Sequence, residues 1–255
     1  MYKFYSLSEP SILDNLIGRN ATIKLSSAFN LNDPFELKFN LSIDPFANGQ
    51  KEEYFLVNPG KNEDDFRRWQ QETTENWIWF VEQSQRKSIA QLVSLGSFTE
   101  TNSSNLMWSH YASNHKGICI EYDVSLFDYL RKQKRFFAFE KVAYSNLPPS
   151  VNNLEVWETK VLKMMFTKQI EWGYEKEHRV IFMEDKKDAL YIPIDSKYIK
   201  AVYIGSKADQ DYILKIVSLS TQYKFLVYYG ITVGKTYEVH FEQHIEGTAY
   251  TRSFW

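Results

Sequence analysis

The 255-residue chain is long enough to bury a sizeable core, and its 44% apolar and 24% charged residues are those of an ordinary globular protein, which excludes a disordered one. A net charge of −2 supplies no overall pull toward nucleic acid or anionic lipid; the local basic run Arg131, Lys132, Lys134 and Arg135 reads first as a solvated helix end or loop. The single cysteine, Cys119, excludes an intrachain disulfide and an all-cysteine metal cage, and within Gly117-Ile118-Cys119-Ile120 it reads as a small buried hydrophobe.

Aromatic residues make up 16% of the chain, a composition that suits the pleated, half-buried surface of a sheet. Tyr2 to Leu7 reads as an opening strand. Ser8 is a candidate N-cap for a short helix carrying Ile12, Leu13, Leu16 and Ile17, which Gly18 ends. Thr22 to Ser26 alternates as a second strand. Asn32-Asp33-Pro34-Phe35-Glu36 lies in a turn, and Leu37 to Ile43 alternates again. The longest helical candidate is Lys61 to Gln91, anchored by Trp69, Trp77, Phe80 and Val81. Gln91 to Phe98 and Lys116 to Tyr122 read as strands, Leu126 to Phe137 as a helix, and Val142 to Tyr144 as a short extended segment. Asn146 to Asn153, with Pro148-Pro149, is a loop, and Glu155 to Thr167 is a helix. His178 to Met183 and Ile199 to Ile204 are extended, Asp209 to Thr221 is helical, and Tyr223 to Tyr229 and Thr236 to His240 close the chain as strands. With no repeat and no linker, the expectation is one α+β domain over residues 1–255. Its twisted mixed or antiparallel sheet is flanked by helices, and residues 61–91 form a helical insertion.

No phosphate-binding loop, G-x-G-x-x-G, H-E-x-x-H or G-x-S-x-G motif occurs. Five histidines leave little for a multi-histidine metal site, and no metal is expected. The N-terminus lacks the apolar core of a signal peptide, and no run approaches the roughly 18 apolar residues of a membrane span. The expectation is a cytoplasmic protein with no membrane contact.

Three constellations can carry chemistry. In Trp172-Gly173-Tyr174-Glu175-Lys176-Glu177-His178-Arg179, extension from Tyr174 puts Glu175, Glu177 and Arg179 on one face and Tyr174, Lys176 and His178 on the other. Two carboxylates beside a guanidinium can hold a cation-like transition state or sugar hydroxyls; the plainer alternative is a surface ion ladder. In the turn, Asn32, Asp33 and Glu36 are candidate binding groups, or Asp33 serves the turn backbone alone. The third cluster is Trp108, His110, Tyr111 and His115. Here a histidine acts near neutral pH or an aromatic face stacks a planar ring, against structural histidines in a core.

Together with Tyr2-Lys3-Phe4, Phe98-Thr99-Glu100, Met107 to Ala112 and His115 to Gly117, these stretches resemble, in order over residues 1 to about 205, the bacterial family catalogued as domain of unknown function 2971. Tyr5 departs from its pattern, where an Arg is frequent. A more distant likeness is to ADP-ribosyltransferase folds, through the opening strand, short helix, Gly and second strand, and the late Glu-x-Glu. That likeness implies NAD as co-substrate and Glu177 as the catalytic carboxylate, with Glu175 orienting the acceptor. It also implies Tyr111 or Trp108 against the nicotinamide, and Tyr5 and Ser6 lining the cleft. An NAD-consuming enzyme, a toxin or anti-phage effector, then competes with two other readings. One is a metal-dependent hydrolase or nuclease using the histidines, His110 among them, with Asp33 and Glu36. The other is a non-enzymatic ligand-sensing or interaction module. All three expect a small-molecule ligand and leave the acceptor, protein or nucleic acid, and the oligomeric state open.

Overall fold

In the computed structural model the described residues are all but 154, 185–188, 233–236, 246 and 248–255. The chain opens with β1 (Tyr2–Tyr5), α1 (Ile12–Leu16), β2 (Thr22–Ser27) and β3 (Asn40–Ser42). Three helices follow, α2 (Gln50–Val57), α3 (Glu63–Glu72) and α4 (Glu75–Leu92), before β4 (Val93–Thr99) and α5 (Asn105–Tyr111). Next come β5 (Ile118–Tyr122), α6 (Ser125–Arg131), β6 (Phe136–Lys141), β7 (Ala143–Ser145), β8 (Ser150–Asn152) and α7 (Trp157–Met165). The last part holds β9 (Thr167–Gln169), β10 (Glu177–Met183), β11 (Leu190–Pro193), β12 (Ile199–Ile204), α8 (Gln210–Tyr223), β13 (Leu226–Ile231) and β14 (His240–Gln243).

Among the described residues ten strands form one sheet in the order β11-β2-β4-β1-β5-β12-β13-β14, with β10 and β6 branching from β4. All its pairings are antiparallel except β12 with β13. This is the expected α+β class. Alternation along the strands covers both faces. Val180 and Phe182 join Leu13, Leu126 and Ile216 from α1, α6 and α8, while Ile181 and Leu95 pack with Ile89 of α4 and Met164 of α7.

Several boundaries differ from the sequence expectation. The helix expected over Lys61 to Gln91 is two helices. The chain breaks at Thr73-Thr74, where the Thr74 hydroxyl accepts from Trp77 N and starts α4. Ser8 caps nothing: α1 starts after Ser11, without a side-chain cap. Of Leu37 to Ile43 only β3 is extended, since Leu37 adopts a left-handed φ of 62°. The helix expected to reach Phe137 ends at Arg131, because Phe136 begins a strand paired with β10. The loop over Asn146 to Asn153 contains β8, recruited by parallel pairing with β3. In the basic run, Arg131 pairs with Asp128 and Arg135 with Glu184. The closing strand is β14; the expected start at Thr236 lies outside the described residues.

Candidate functional site

β4 carries different partners along its two edges. One edge pairs with β10 from Val93 to Thr99. On the other, β2 takes Ser94 and Leu95 and β1 takes Thr99, and among the described strands none pairs residues 96–98 on that side. β1 and β2 part there, and the gap opens into a cleft of about 810 Å³, at the upper end of the range for ligand pockets.

Five ionic side chains make the cleft floor. Glu36, Lys168, Glu175, Glu177 and Arg179 are all more than nine-tenths buried. Arg179 donates to both oxygens of Glu36 at 3.0 and 2.6 Å, to both of Glu177 at 2.9 and 3.0 Å, and to the Met165 carbonyl at 2.6 Å. All five of its donors are thereby used. Lys168 Nζ stands 2.6 Å from Glu175, 3.4 Å from Glu177 and 3.4 Å from Glu36, with the Trp172 ring 4.7 Å away. Three carboxylates against two cations leave one surplus negative charge.

These surroundings separate the two glutamates. Burial alone would raise the Glu177 pKa, but the Arg179 guanidinium and the Lys168 ammonium outweigh it and hold that carboxyl at about 2. Burial raises Glu175, and Lys168 offsets this only in part. Burial likewise works against the Lys168 charge, but the three glutamates prevail and raise its pKa. Burial and the neighbouring Glu175 push the Tyr111 hydroxyl up, so it stays a donor, and it hydrogen-bonds Glu175.

Strand period two puts Glu177 and Arg179 on the same face of β10. Glu175 joins them by another route, a 3-10 turn over Ile170–Glu175 followed by left-handed Lys176 at φ 45°. The expected trio is therefore brought together, though not by continuous extension from Tyr174. It is buried, so the surface-ladder alternative is corrected. Tyr174 meets His110 Nδ1 at 3.0 Å beside the cleft, whereas His178, pointing the other way from Glu177 and Arg179 on β10, meets Glu100 at 2.8 Å.

Tyr5, Ser6, Asn32, Glu36, His110 and Tyr111 line the same cleft. Tyr5 hydrogen-bonds the Tyr122 hydroxyl at 2.9 Å, and the Ser6 hydroxyl donates to the Tyr111 carbonyl at 3.3 Å. Asp33 faces a smaller pocket of about 190 Å³ on the other side of Glu36 and Lys168, and accepts from Phe35 N at 2.8 Å as a turn residue does.

Trp108 and His115 are elsewhere. Trp108 is fully buried against Phe4 and Phe241, with its indole N–H donating to the Asn102 carbonyl at 2.6 Å, so its faces are closed to a ligand. His115 stacks on it at 6.2 Å; burial and the nearby Lys207 lower its pKa. The stacking role given to Trp108 and the binding role given to His115 are corrected on that ground: both serve a core layer between α5 and the sheet. Among the described residues no three His, Cys, Asp or Glu are grouped to hold a metal ion, and no helix is long and apolar enough to cross a membrane.

Sequence reasoning missed Lys168 and Lys3. Lys3 Nζ donates to the Ser97 carbonyl at 3.1 Å, on the unpaired stretch of β4, and lies 5.6 and 5.3 Å from the Tyr5 and Phe98 rings. Burial lowers its pKa to about 8, Lys24 adds to the effect, and Glu177 opposes it. The one available signal was a lysine alternating with aromatics in Tyr2-Lys3-Phe4-Tyr5.

Residues 107–180 match a family described as Protein of unknown function (DUF2971). The matched segment runs from α5 into β10. It contains His110, Tyr111, Lys168, Glu175, Glu177 and Arg179, most of one side of the cleft, and excludes β1, β2 and β4. Neither a curated protein nor a solved structure matches the chain.

Proposed function

We propose that the cleft binds NAD and breaks its bond to nicotinamide, as an ADP-ribosyltransferase-like enzyme or an NAD glycohydrolase. The observation that carries this reading is the buried Glu175–Glu177 pair, within a cluster of three carboxylates against two cations, on the floor of a cleft walled by Tyr111 and His110. As the C1′–N bond breaks, its electron pair passes to the nicotinamide nitrogen and neutralises the pyridinium. Positive charge develops on the ribose, and fixed carboxylates stabilise it without reorganising. Glu177, immobilised by Arg179 and ionised throughout the physiological range, suits that role. Water or an acceptor hydroxyl then forms the new C1′–O bond and gives its proton to Glu175, whose raised pKa suits a base working closer to neutrality. Drawing on the NAD pool of the cytoplasm, such an enzyme suits a toxin or anti-phage effector.

The test is nicotinamide release from NAD by the purified protein, beside Glu177→Gln and Tyr111→Phe. Release by the parent, with a loss of about a hundredfold or more in Glu177→Gln at unchanged circular dichroism, supports the reading. Tyr111→Phe keeps the ring and removes the hydroxyl that bonds Glu175 and Asn32, so it reports on the site if Glu177→Gln unfolds. No binding and no release at millimolar NAD overturns it in favour of a non-enzymatic ligand-sensing module. One feature favours that second reading: every Arg179 donor and both Glu177 oxygens are already engaged within the protein.

A further inference from the structure

The cleft is electrically two-sided. Its carboxylates belong to the β10 side, whereas its other flank is built by β1 and β2, the two strands that part at β4. Each of these contributes one lysine to the lining, Lys3 and Lys24. Alternation fixes both. Thr22, Lys24 and Ser26 line the cleft while Ile23 and Leu25 are fully buried on the opposite face of β2, and Lys3 shares its face of β1 with Tyr5. Neither lysine has its charge met by a contacting carboxylate. Lys3 spends a donor on a neutral carbonyl, and among the described residues the Lys24 ammonium makes no hydrogen bond or ion pair. Burial and, more weakly, the nearby Lys24 disfavour the Lys3 charge, and Glu177 favours it.

Two lysines without a salt-bridge partner, Lys3 drawn also toward Glu177, give the β1–β2 flank of the cleft a positive character beside the carboxylates of its floor. We infer that Lys3 and Lys24 form a subsite for a phosphate or pyrophosphate group, so that the cleft takes a bipolar ligand, anionic between β1 and β2 and cationic or incipiently cationic over Glu175 and Glu177. This deepens the NAD reading and rests on that cleft being the ligand site, since a dinucleotide with a pyridinium ring at one end has this polarity. Charge-assisted hydrogen bonds to such a group are the strong ones, and Lys3 keeps donors to spare. Tyr191, half exposed beside Lys24 in the β2–β11 pair, offers a flat ring at the same end of the cleft.

The experiment is titration calorimetry of the full chain with inorganic pyrophosphate, with ADP and with adenosine, repeated on Lys3→Met and Lys24→Gln. Lys24 is exposed, so Lys24→Gln leaves the fold intact, and Lys3→Met retains the packing on Tyr5 and Phe98. Saturable binding of pyrophosphate and ADP, weakened at least about tenfold by each substitution, is expected, with adenosine at least about tenfold weaker than ADP. ADP binding without pyrophosphate binding would identify a nucleotide as the source of the phosphate. Pyrophosphate binding as tight as ADP binding would identify the free anion. Binding of neither anion, or affinities unchanged in both folded variants, overturns the subsite. The two proposals fail separately. Pyrophosphate binding without nicotinamide release sinks the NAD reading alone, whereas release with a KM for NAD indifferent to Lys24→Gln sinks the subsite alone.

Discussion

Lys168 stands within 3.4 Å of three carboxylates, 5% exposed, and its removal leaves Arg179 alone against them. Removing one member of a buried ionic network costs about 3–5 kcal/mol, so Lys168→Met is expected to lower unfolding free energy by that order, as urea denaturation would show. Glu177 predicts an acid limb. Its folded carboxyl titrates at about 2 against an ordinary 4.5, so between those values the unfolded chain binds more protons. The contribution is complete above about 4.5 and disappears as pH falls toward 2. Melting curves from pH 5 to 2 should therefore be shallower for Glu177→Gln than for the parent. Lys3 has the opposite sense. Its folded amine titrates at about 8 against 10.5, so between pH 8 and 10 the unfolded chain again holds the extra proton and stability rises with pH. Lys3→Met should flatten that rise. Above pH 10 the buried hydroxyls of Tyr5 and Tyr122, both raised, work the other way.

Close backbone approach decides how the elements seat the site. Gly117 precedes β5 at the end of the α5 turn, and a Cβ there would fall 2.2 Å from the Tyr5 carbonyl of β1. Gly117→Ala must push β1 off β5 or α5 off both, with a loss of several kcal/mol and of the β1 flank of the cleft. A thermal midpoint within 2 °C of the parent would contradict this packing. The same elements show how far the sequence could be read. Glu177 and Arg179 were legible because a strand needs only period two, and the opening strand and α8 followed from local pattern. Lys168 was not: it follows a helix end in Met164-Met165-Phe166-Thr167-Lys168, where a solvated cation is ordinary. Only the parallel pairing of β9 with β7 brings it under the carboxylates. Trp108 and Tyr111 sit three apart on α5, yet one is closed into a core layer and the other faces the cleft. Spacing gives their angular separation, while which side is covered depends on β1 and β14, distant in sequence. The Thr73-Thr74 break was missed for a different reason: aromatic anchors continue at helical spacing across it, and only the cap marks the restart.

At the scale of the molecule, α4 reaches the site through the Arg86 side chain. Arg86 of α4 donates to the carbonyls of Pro34 and Glu36, which clamps the turn that delivers Glu36 to Arg179. A ligand seated in the cleft would tie β1, β2, β4, α5 and β10 together, and binding to the folded state alone adds stability by mass action. ADP at a hundred times its dissociation constant should contribute about 2.7 kcal/mol, a rise of about 5–10 °C in melting temperature for a chain of this size. Hydrogen exchange should slow in β1, β2 and β4 and remain unchanged in α2 and α3. The parting of β1 from β2 has one more consequence. Over residues 96–98 the sheet leaves its own ladder incomplete, and the Ser97 carbonyl answers to the Lys3 ammonium in place of a neighbouring strand. A guest in that gap would stand where a strand would have run, within reach of main-chain atoms. Those atoms are the same whatever letter is written at the position, so this part of its recognition leaves no trace in the sequence.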